Sequence, residues 1–164
     1  MSQSFQVRSP AFAEGQPIPE LHSCEGRDIS PPLVWTEPPA GTRSLALICD
    51  DPDAPGGVWV HWVLYNLPST TRELPQNVAP EPVLALGERQ GRNSWGRIGY
   101  GGPCPPSGTH RYFFRLFALD VMLETPAGCS RVEIEAAMRG HVIGHAQLMG
   151  TYKKGIYRGR DQLK

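Results

Sequence analysis

Two apolar runs, SLALIC at residues 44–49 and VWVHWVLYNL at residues 58–67, constrain the fold of this chain more than any other feature. Both have the length of strands, and SLALIC is apolar on both faces, as a strand in the middle of a sheet is. The eight residues between the runs, DDPDAPGG, are typical of a turn. Strict alternation along the second run places Val58, Val60, Trp62 and Leu64 on one face and Trp59, His61, Val63 and Tyr65 on the other. Both faces are then apolar except at His61, so we predict that this histidine is buried.

Proline and glycine divide the rest of the chain into short segments. The 164 residues include 18 glycines and 17 prolines, a share well above the average for globular proteins. Because they separate apolar runs instead of forming one low-complexity stretch, we predict a mainly β protein with a single domain over residues 1–164. Residues 5–7 and 33–35 are short extended pieces among prolines, which predicts positions at sheet edges. Residues 68–99 are predicted to be mostly loop.

Charge and cysteine content exclude several classes of function. The 16 Lys and Arg balance the 16 Asp and Glu, and no apolar run reaches membrane-spanning length, so we expect no nucleic-acid partner and no integral membrane segment. The N-terminus lacks the pattern of a secretion signal, which predicts a cytoplasmic protein. Four cysteines without a C-x-x-C pair are predicted to be reduced thiols: Cys24, Cys49, Cys104 and Cys129. A basic C-terminal segment is typical of a solvated tail: Lys153, Lys154, Arg158, Arg160 and Lys164 against Asp161.

A proline-rich loop leads directly into another predicted strand. In GGPCPPSGTHRYFFRLFALD, residues 101–120, three prolines and three glycines precede a dense aromatic and aliphatic run. Alternation over residues 111–119 places His110 and Tyr112 on the apolar face and the arginines on the wetter face. Residues 132–153 are predicted to be helical, because apolar residues such as Ile134, Met138 and Leu148 recur at three- and four-residue steps.

The polar residues beside these loops suggest one shared site. Asp51, Asp53, His61, His110 and Tyr112 all lie at or near a loop-to-strand junction. Two histidines, a carboxylate and a phenol would make a cavity whose donors suit an oxyanion. Glycines would let the backbone approach such a ligand, and prolines would stiffen the loop. The residues alone leave a second interpretation open, in which His61 is a satisfied core histidine and DPDAP an ordinary turn.

Several segments resemble a known family. DDPDAP followed by WVHWVLYNLP, and GYGGPCPPSGTHRYFFRLFALD further on, are similar to the two signature regions of the phosphatidylethanolamine-binding protein family, which includes Raf kinase inhibitor protein. With SPPLVW and AAMRGHVIGHAQLMGTY, the resemblance extends over most of residues 24–153, and the compact form resembles the bacterial and archaeal branch. It implies a β-sandwich-like fold with a large antiparallel sheet, a smaller sheet and one or two peripheral helices, and no cofactor.

The resemblance also implies a ligand and its site. The ligand would be a small anion such as the phosphate of a phospholipid headgroup, bound in a regulatory role of the kinase- or protease-inhibitor type, with a kinase or protease as protein partner. A homodimer is a further expectation. Position by position, the ligand-binding residues would be Asp51, Trp59, His61, Gly102, Pro103, His110 and Tyr112. Loop support would come from Asp53, Pro55 and Cys104, and the Ala54–Pro55 bond would be cis.

One departure from the family's pattern limits this transfer. Animal members have a longer insertion between DPDAP and the Trp-His strand, here reduced to Gly56, Gly57 and Val58. Lipid selectivity and kinase inhibition therefore do not transfer directly from those members.

Other functions remain open at this point. We expect a non-catalytic binding module, because the chain has no G-x-S-x-G elbow, H-E-x-x-H motif or P-loop. The alternative is a hydrolase that uses Asp51 and a histidine as base and acid, with Cys104 as the one tempting nucleophile. A zinc site of His61, His110, Asp51 and Cys104 is a third possibility. His141 and His145, four residues apart on the predicted helix, could chelate a metal or flank a packed face or subunit contact.

Overall fold

The structure is a computed structural model that describes residues 4–155. Within that range the chain forms two antiparallel sheets. The smaller has the spatial order β1 (Val7–Arg8), β2 (Leu33–Trp35) and β5 (Glu73–Leu74). The larger has the order β6 (Arg89–Gln90), β4 (Trp59–Pro68), β3 (Ser44–Asp51), β7 (Thr109–Leu119) and β8 (Val142–Lys153). A 3-10 turn (Glu20–His22) and helix α1 (Arg131–Met138) complete the described elements, so the predicted fold class is confirmed.

Strand β3 is the centre of the large sheet, as its sequence predicts. All eight of its residues are buried, and it pairs with β4 on one side and β7 on the other. One core layer fills the space between the two sheets and contains Trp35, Trp62 and Phe114. A second layer lies between the large sheet and α1 and contains Tyr65 and Ile134. The sheet is therefore buried on both faces around β3, which requires the continuous apolar run.

The predicted helix over residues 132–153 is wrong for most of its length. Helix α1 ends at Met138, and the chain turns at Gly140, whose φ is +83°, before β8 begins. In β8 the buried side chains alternate at Ala146, Leu148 and Tyr152, a two-residue period that the helical interpretation overlooked. Gly150 fits this strand because a Cβ there would lie 2.6 Å from Ile18. Tertiary packing of the N-terminal segment against β8 thus outweighs the helical spacing.

Other predictions for the strands have mixed outcomes. The alternation over β7 is confirmed, since Tyr112, Phe114 and Leu116 are buried while Arg111 is exposed. Residues 7–8 form an edge strand as expected, but β2 lies between β1 and β5, so its predicted edge position is wrong. The prolines at 31, 32 and 38 flank β2 without entering it, and no ladder donor is lost.

The predictions on membrane segments and on the basic C-terminal segment are tested only in part. Among the described residues, no helix is long and apolar enough to cross a membrane. Lys153 and Lys154 of the basic segment are exposed, and the remainder of that segment, from Arg158 to Lys164, lies outside the described residues. The single domain over residues 1–164 stays a prediction.

Candidate functional site

A cavity of about 240 Å³ lies at one end of the large sheet. Antiparallel pairing brings the last residue of β3 and the first residues of β4 and β7 to this end, together with the two loops that the sequence singled out. The cavity is lined by Asp51, Ala54, Pro55, Trp59, His61, Trp95, Cys104, Pro105, Pro106, His110 and Tyr112. Five of the seven predicted ligand-binding residues therefore meet around one hollow: Asp51, Trp59, His61, His110 and Tyr112.

Asp51 and His110 form the polar centre of the cavity. The Nδ1–H of His110 donates to Asp51 Oδ2 over 2.7 Å, and both residues are buried. A carboxylate on Nδ1 fixes the tautomer and orientation of the ring and leaves Nε2 as its second polar atom. Asp51 also accepts the backbone N–H of Asp53 through Oδ1, at 2.8 Å. One carboxylate thus orders both the histidine and the first turn of the DDPDAPGG loop.

Asp53 supports the loop from outside the cavity, in the role that the resemblance implies. Its carboxylate accepts bonds from Nε and Nη2 of Arg111 at 2.9 and 2.8 Å, and from the Arg111 backbone N–H at 2.9 Å. The hydrogen bond from Arg111 is the main reason that the pKa of Asp53 is lowered to about 2. This connection fixes the loop to β7 directly beside His110.

A β-bulge in β4 directs His61 into the cavity. In the pairing of β3 with β4, Cys49 is opposite Trp62 and Asp50 is opposite Val60, so His61 is the extra residue. The His61 ring contacts Tyr112 edge-on, with centroids 5.1 Å apart. The predicted alternation is wrong here, because the bulge moves His61 to the cavity side while Val60 belongs to the second core layer. Bulges commonly re-aim a side chain at a functional site in this way.

His61 is held as a neutral ring. Its Nδ1 lies 2.7 Å from the carbonyl oxygen of Gly101, and the Gly101 N–H donates to the carbonyl of His61. Since a carbonyl only accepts, Nδ1 carries the proton and Nε2 of the neutral ring is an acceptor. Burial lowers the pKa of His61 below its ordinary value, which outweighs the opposing effects of Gly101 and Asp51. Near neutral pH the cavity therefore contains one fixed acceptor on this side.

The free energy of unfolding is expected to fall as the pH drops below 6.5, the ordinary histidine value. Because the folded-state pKa of His61 is lowered, the unfolded chain binds more protons between that pKa and 6.5, and acid favours unfolding in this window. Urea denaturation of the parent and of His61→Gln at about pH 8 and about pH 5 measures the effect. The variant should lose part of the pH dependence, and the rest includes His22, whose pKa burial also lowers. Equal pH dependence in both proteins would contradict the assignment.

The hydroxyl of Tyr112 is the least satisfied polar group of the cavity. Its oxygen is buried, and none of residues 4–155 provides it with a hydrogen-bond partner. Burial, reinforced by the charge of Asp51, raises the pKa of Tyr112, so the phenol keeps its proton. A buried hydroxyl without a partner costs free energy unless something else accepts its hydrogen bond.

Gly102 and Pro103 do not line the cavity, unlike the expectation from the resemblance. The N–H of Gly102 donates to Asp28 Oδ1 over 2.7 Å, and the carbonyl of Pro103 accepts the N–H of Cys24. A Cβ on Gly102 would lie 2.1 Å from the carbonyl oxygen of His22. The glycine is needed for close packing against the segment around the 3-10 turn. The backbone of Gly102 therefore approaches other parts of the protein and not the cavity.

The prediction of four reduced cysteines is wrong for two of them. Cys24 and Cys104 form a disulfide with Cα atoms 5.5 Å apart, while Cys49 and Cys129 are free and buried. A sequence separation of 80 hid this pair, because only the packing of the 3-10 segment against the proline loop brings the two cysteines together. The prediction of a cytoplasmic location rested on the absence of a secretion signal, and a disulfide does not favour that compartment.

The predicted cis bond at Ala54–Pro55 is also wrong, since the peptide bonds of residues 4–155 are all trans. The N–H of Gly57 donates to the carbonyl of Ala54 at 3.1 Å, which closes a four-residue turn. Proline is favoured as the second residue of such a turn with a trans bond. Pro55 lines the cavity from this turn, as does Cys104 from the opposite loop.

The main residue that the sequence analysis missed is Trp95. It lies in NSWG, inside the segment predicted to be loop, where Asn93 Oδ1 accepts the Trp95 N–H. Ser94 exchanges two hydrogen bonds with the backbone of Val60, which brings the turn against β4. The Trp95 ring then contacts His61 and Trp59, with centroids 5.1 and 5.5 Å away. A lone tryptophan in a polar turn was the available signal.

The geometry does not support the two metal sites that the sequence left open. Among the described residues, no three His, Cys, Asp or Glu side chains are grouped to hold an ion. His141 and His145 are not on a helix, since His145 lies in β8 and His141 precedes it and bonds to Asp120. A larger groove of about 570 Å³ between the N-terminal segment and β8 contains none of the predicted site residues.

Comparison with known proteins identifies the family. A UPF0098 protein from Methanothermobacter thermautotrophicus is 50% identical over 151 residues, which cover 92% of this chain and 100% of the relative. A sequence model of the family described as phosphatidylethanolamine-binding protein matches residues 8–153. The chain belongs to the phosphatidylethanolamine-binding protein family.

Solved structures of the family agree with the fold. A crystal structure of a phosphatidylethanolamine-binding protein homologue from Chlamydia trachomatis has a TM-score of 0.85 at 43% identity and covers 93% of this chain and 99% of its own. Escherichia coli YbcL, described as a member of the mammalian family, has a TM-score of 0.84 at 34% identity, with 92% and 99% covered. The resemblance to bacterial and archaeal phosphatidylethanolamine-binding proteins that the sequence motifs indicated is confirmed.

Proposed function

We propose that the cavity binds a small oxyanion, such as the phosphate of a phosphorylated ligand, and that the protein acts as a binding module. The observation that carries this proposal is the buried Tyr112 hydroxyl, which has no hydrogen-bond partner within residues 4–155, in a tyrosine that lines the cavity beside the Asp51–His110 pair. An oxyanion in the cavity would accept a hydrogen bond from the Tyr112 hydroxyl and remove the cost of burying that hydroxyl without a partner.

The other polar atoms narrow the chemistry of the ligand. His110 keeps Nε2 for the cavity, because its Nδ1–H donates a hydrogen bond to Asp51. The neutral His61 adds an acceptor at Nε2, which needs a donor on the ligand. A phosphate that retains one proton supplies both acceptors and a donor. We therefore expect a protonated phosphate or phosphomonoester to complement the cavity better than a fully ionised one.

The apolar rim favours a phosphate that carries an organic group. Trp59 and Trp95 are 37% and 39% exposed at the cavity, and Pro105 and Pro106 form another part of its wall. These surfaces offer contact area to a phosphorylated headgroup or side chain, which bare phosphate does not use. A regulatory role of the kinase- or protease-inhibitor type, and a protein partner of that class, rest on the family resemblance alone.

Titration with inorganic phosphate and with phosphorylethanolamine tests the proposal. The side-chain NMR resonances of His61 and His110 should shift saturably, with the tighter binding for phosphorylethanolamine. Tyr112→Phe removes only the hydroxyl, and it should weaken phosphate binding by about threefold to tenfold, which corresponds to the net contribution of one typical hydrogen bond.

A second tyrosine provides the matched control. Tyr65→Phe also deletes a buried hydroxyl, but that hydroxyl donates to the carbonyl of Pro126 on the other side of the sheet. It should leave phosphate affinity unchanged. If phosphate moves neither histidine resonance, or if both tyrosine variants bind phosphate as the parent does, the proposed function is wrong.

A further inference from the structure

The Cys24–Cys104 disulfide connects the protein surface to the wall of the cavity. Cys104 lines the cavity between Pro103 and Pro105, while Cys24 is exposed to solvent beyond the 3-10 turn. Cys24 is the more exposed half of the disulfide, so we expect a reagent in solvent to approach it first, while Cys104 is half-buried and lines the cavity. Structural disulfides in secreted domains serve stability, whereas exposed ones are the labile and regulatory class.

We propose that this disulfide is a modification site for thiols, attacked at Cys24, and that its opening lowers the affinity of the cavity for its ligand. The part that concerns affinity rests on the proposed function above. The attacking reagent is a low-molecular-weight thiol such as glutathione or the dithiol of a reducing protein.

The chemistry is thiol–disulfide exchange. A thiolate attacks Sγ of Cys24, the bond between the two protein sulfurs breaks, and Cys104 leaves as a thiolate that takes a proton from solvent. Cys24 then carries a mixed disulfide. A second thiol attacks this bond and releases Cys24 as a thiol, so that two external thiols are oxidised to one disulfide while the protein disulfide is reduced by two electrons.

Among the described residues, the disulfide is the one cross-link of the cavity wall formed by residues 104–108, which is otherwise held by packing at the buried Pro105. Within residues 4–155, no hydrogen bond joins residues 104–108 to another segment. The residues just before are held independently, since Gly102 donates to Asp28 and Pro103 accepts from Cys24. Opening the disulfide should therefore loosen the wall at Cys104 and Pro106, while the sheet and the Asp51–His110 pair stay in place. A wall that must be ordered again on binding lowers affinity.

The free cysteines do not interfere with this exchange. Neither Cys49 nor Cys129 has a disulfide bond that glutathione could attack. Both are buried, and burial raises the pKa of both thiols, so they are also poor nucleophiles toward the mixed disulfide on Cys24.

The first test is chemical. The oxidised protein is incubated with glutathione, quenched with acid and digested, and the adduct is located by mass spectrometry. The glutathione adduct is expected on Cys24, with Cys104 as the free thiol. An adduct mainly on Cys104, or a disulfide that resists glutathione until the protein is denatured, would overturn the proposal.

The second test measures inorganic phosphate binding to the oxidised protein, to the protein reduced with dithiothreitol, and to the double variant Cys24→Ser/Cys104→Ser. Reduction should weaken phosphate binding about threefold or more. The double variant should bind phosphate as the reduced protein does, and dithiothreitol should not change its affinity. Equal affinity of oxidised and reduced parent protein overturns the link to affinity.

The two proposals fail in different ways. If the oxidised protein does not bind phosphate at all, the proposed function is wrong. The opening of the cavity wall is then tested by the NMR resonances of Trp95, His110 and Tyr112, compared before and after reduction. Shifts at these three positions, together with the adduct on Cys24, support the opening of the wall without reference to a ligand. Unchanged resonances overturn it.

Discussion

Gly102→Ala is expected to lower the free energy of unfolding by about 3 kcal/mol, the upper range for an extra methyl group in a packed site. The new Cβ would lie 2.1 Å from the carbonyl oxygen of His22 and 2.5 Å from Asp28 Oδ1. Because the first neighbour is a backbone atom, it cannot rotate away, and the two segments must separate. Urea denaturation of the oxidised protein measures the change as a lower midpoint with an unchanged slope.

Gly56→Ala is the matched control for this prediction. Gly56 also lies in a loop beside the cavity, but a Cβ there meets no atom within 4 Å, and its φ is not in the left-handed region. This variant should unfold within about 0.5 kcal/mol of the parent. A Gly102→Ala protein as stable as Gly56→Ala would mean that the proline loop does not pack against the 3-10 segment as described.

Asp51→Asn is expected to weaken phosphate binding by about tenfold or more, equivalent to about 1.4 kcal/mol. Asp51 accepts two N–H groups, one from His110 and one from the Asp53 backbone, through separate oxygens. An asparagine has one acceptor oxygen, so its amide group must face one of these donors and break that bond. Either the His110 ring or the DDPDAPGG loop is then displaced. The NMR titration with phosphate measures the loss.

Asp50→Asn separates this effect from general damage to β3. Asp50 precedes Asp51 and is similarly buried, at 5% against 3% exposure, but its two oxygens accept from Arg115 on the opposite face of the sheet. The substitution should reduce stability through loss of that ion pair and leave phosphate affinity unchanged. Equal losses of affinity in the two variants would mean that Asp51 acts only through the stability of the strand.

The strands that carry the site were predictable from their apolar patterns. SLALIC is apolar on both faces, residues 111–119 alternate between a buried and a wetter face, and both segments became inner strands of the large sheet. Position in the chain also indicated Asp51, His110 and Tyr112, since residues at the ends of neighbouring antiparallel strands come to the same edge of a sheet. The family motifs added Trp59 and His61.

The segment over residues 132–153 shows why local pattern was insufficient elsewhere. Its apolar residues fit both a three- to four-residue and a two-residue repeat, and the sequence does not rank the two. The choice depends on the pairing of β8 along β7 over eleven aligned positions, an interaction that exists only after the long-range contact has formed. Gly144 and Gly150, which weaken the helix, fit this strand because Pro39 and Ile18 pack against them.

The sequence by itself determined the fold class, the family and the two loops that border the cavity, because these follow from local residue types and their order. Only the tertiary structure decided that a bulge turns His61 towards Tyr112, that Gly102 packs against protein, and that Cys24 meets Cys104 across 80 residues. Each of these depends on which segments pack together. Long-range packing is a property of the folded chain as a whole, and no local spacing encodes it.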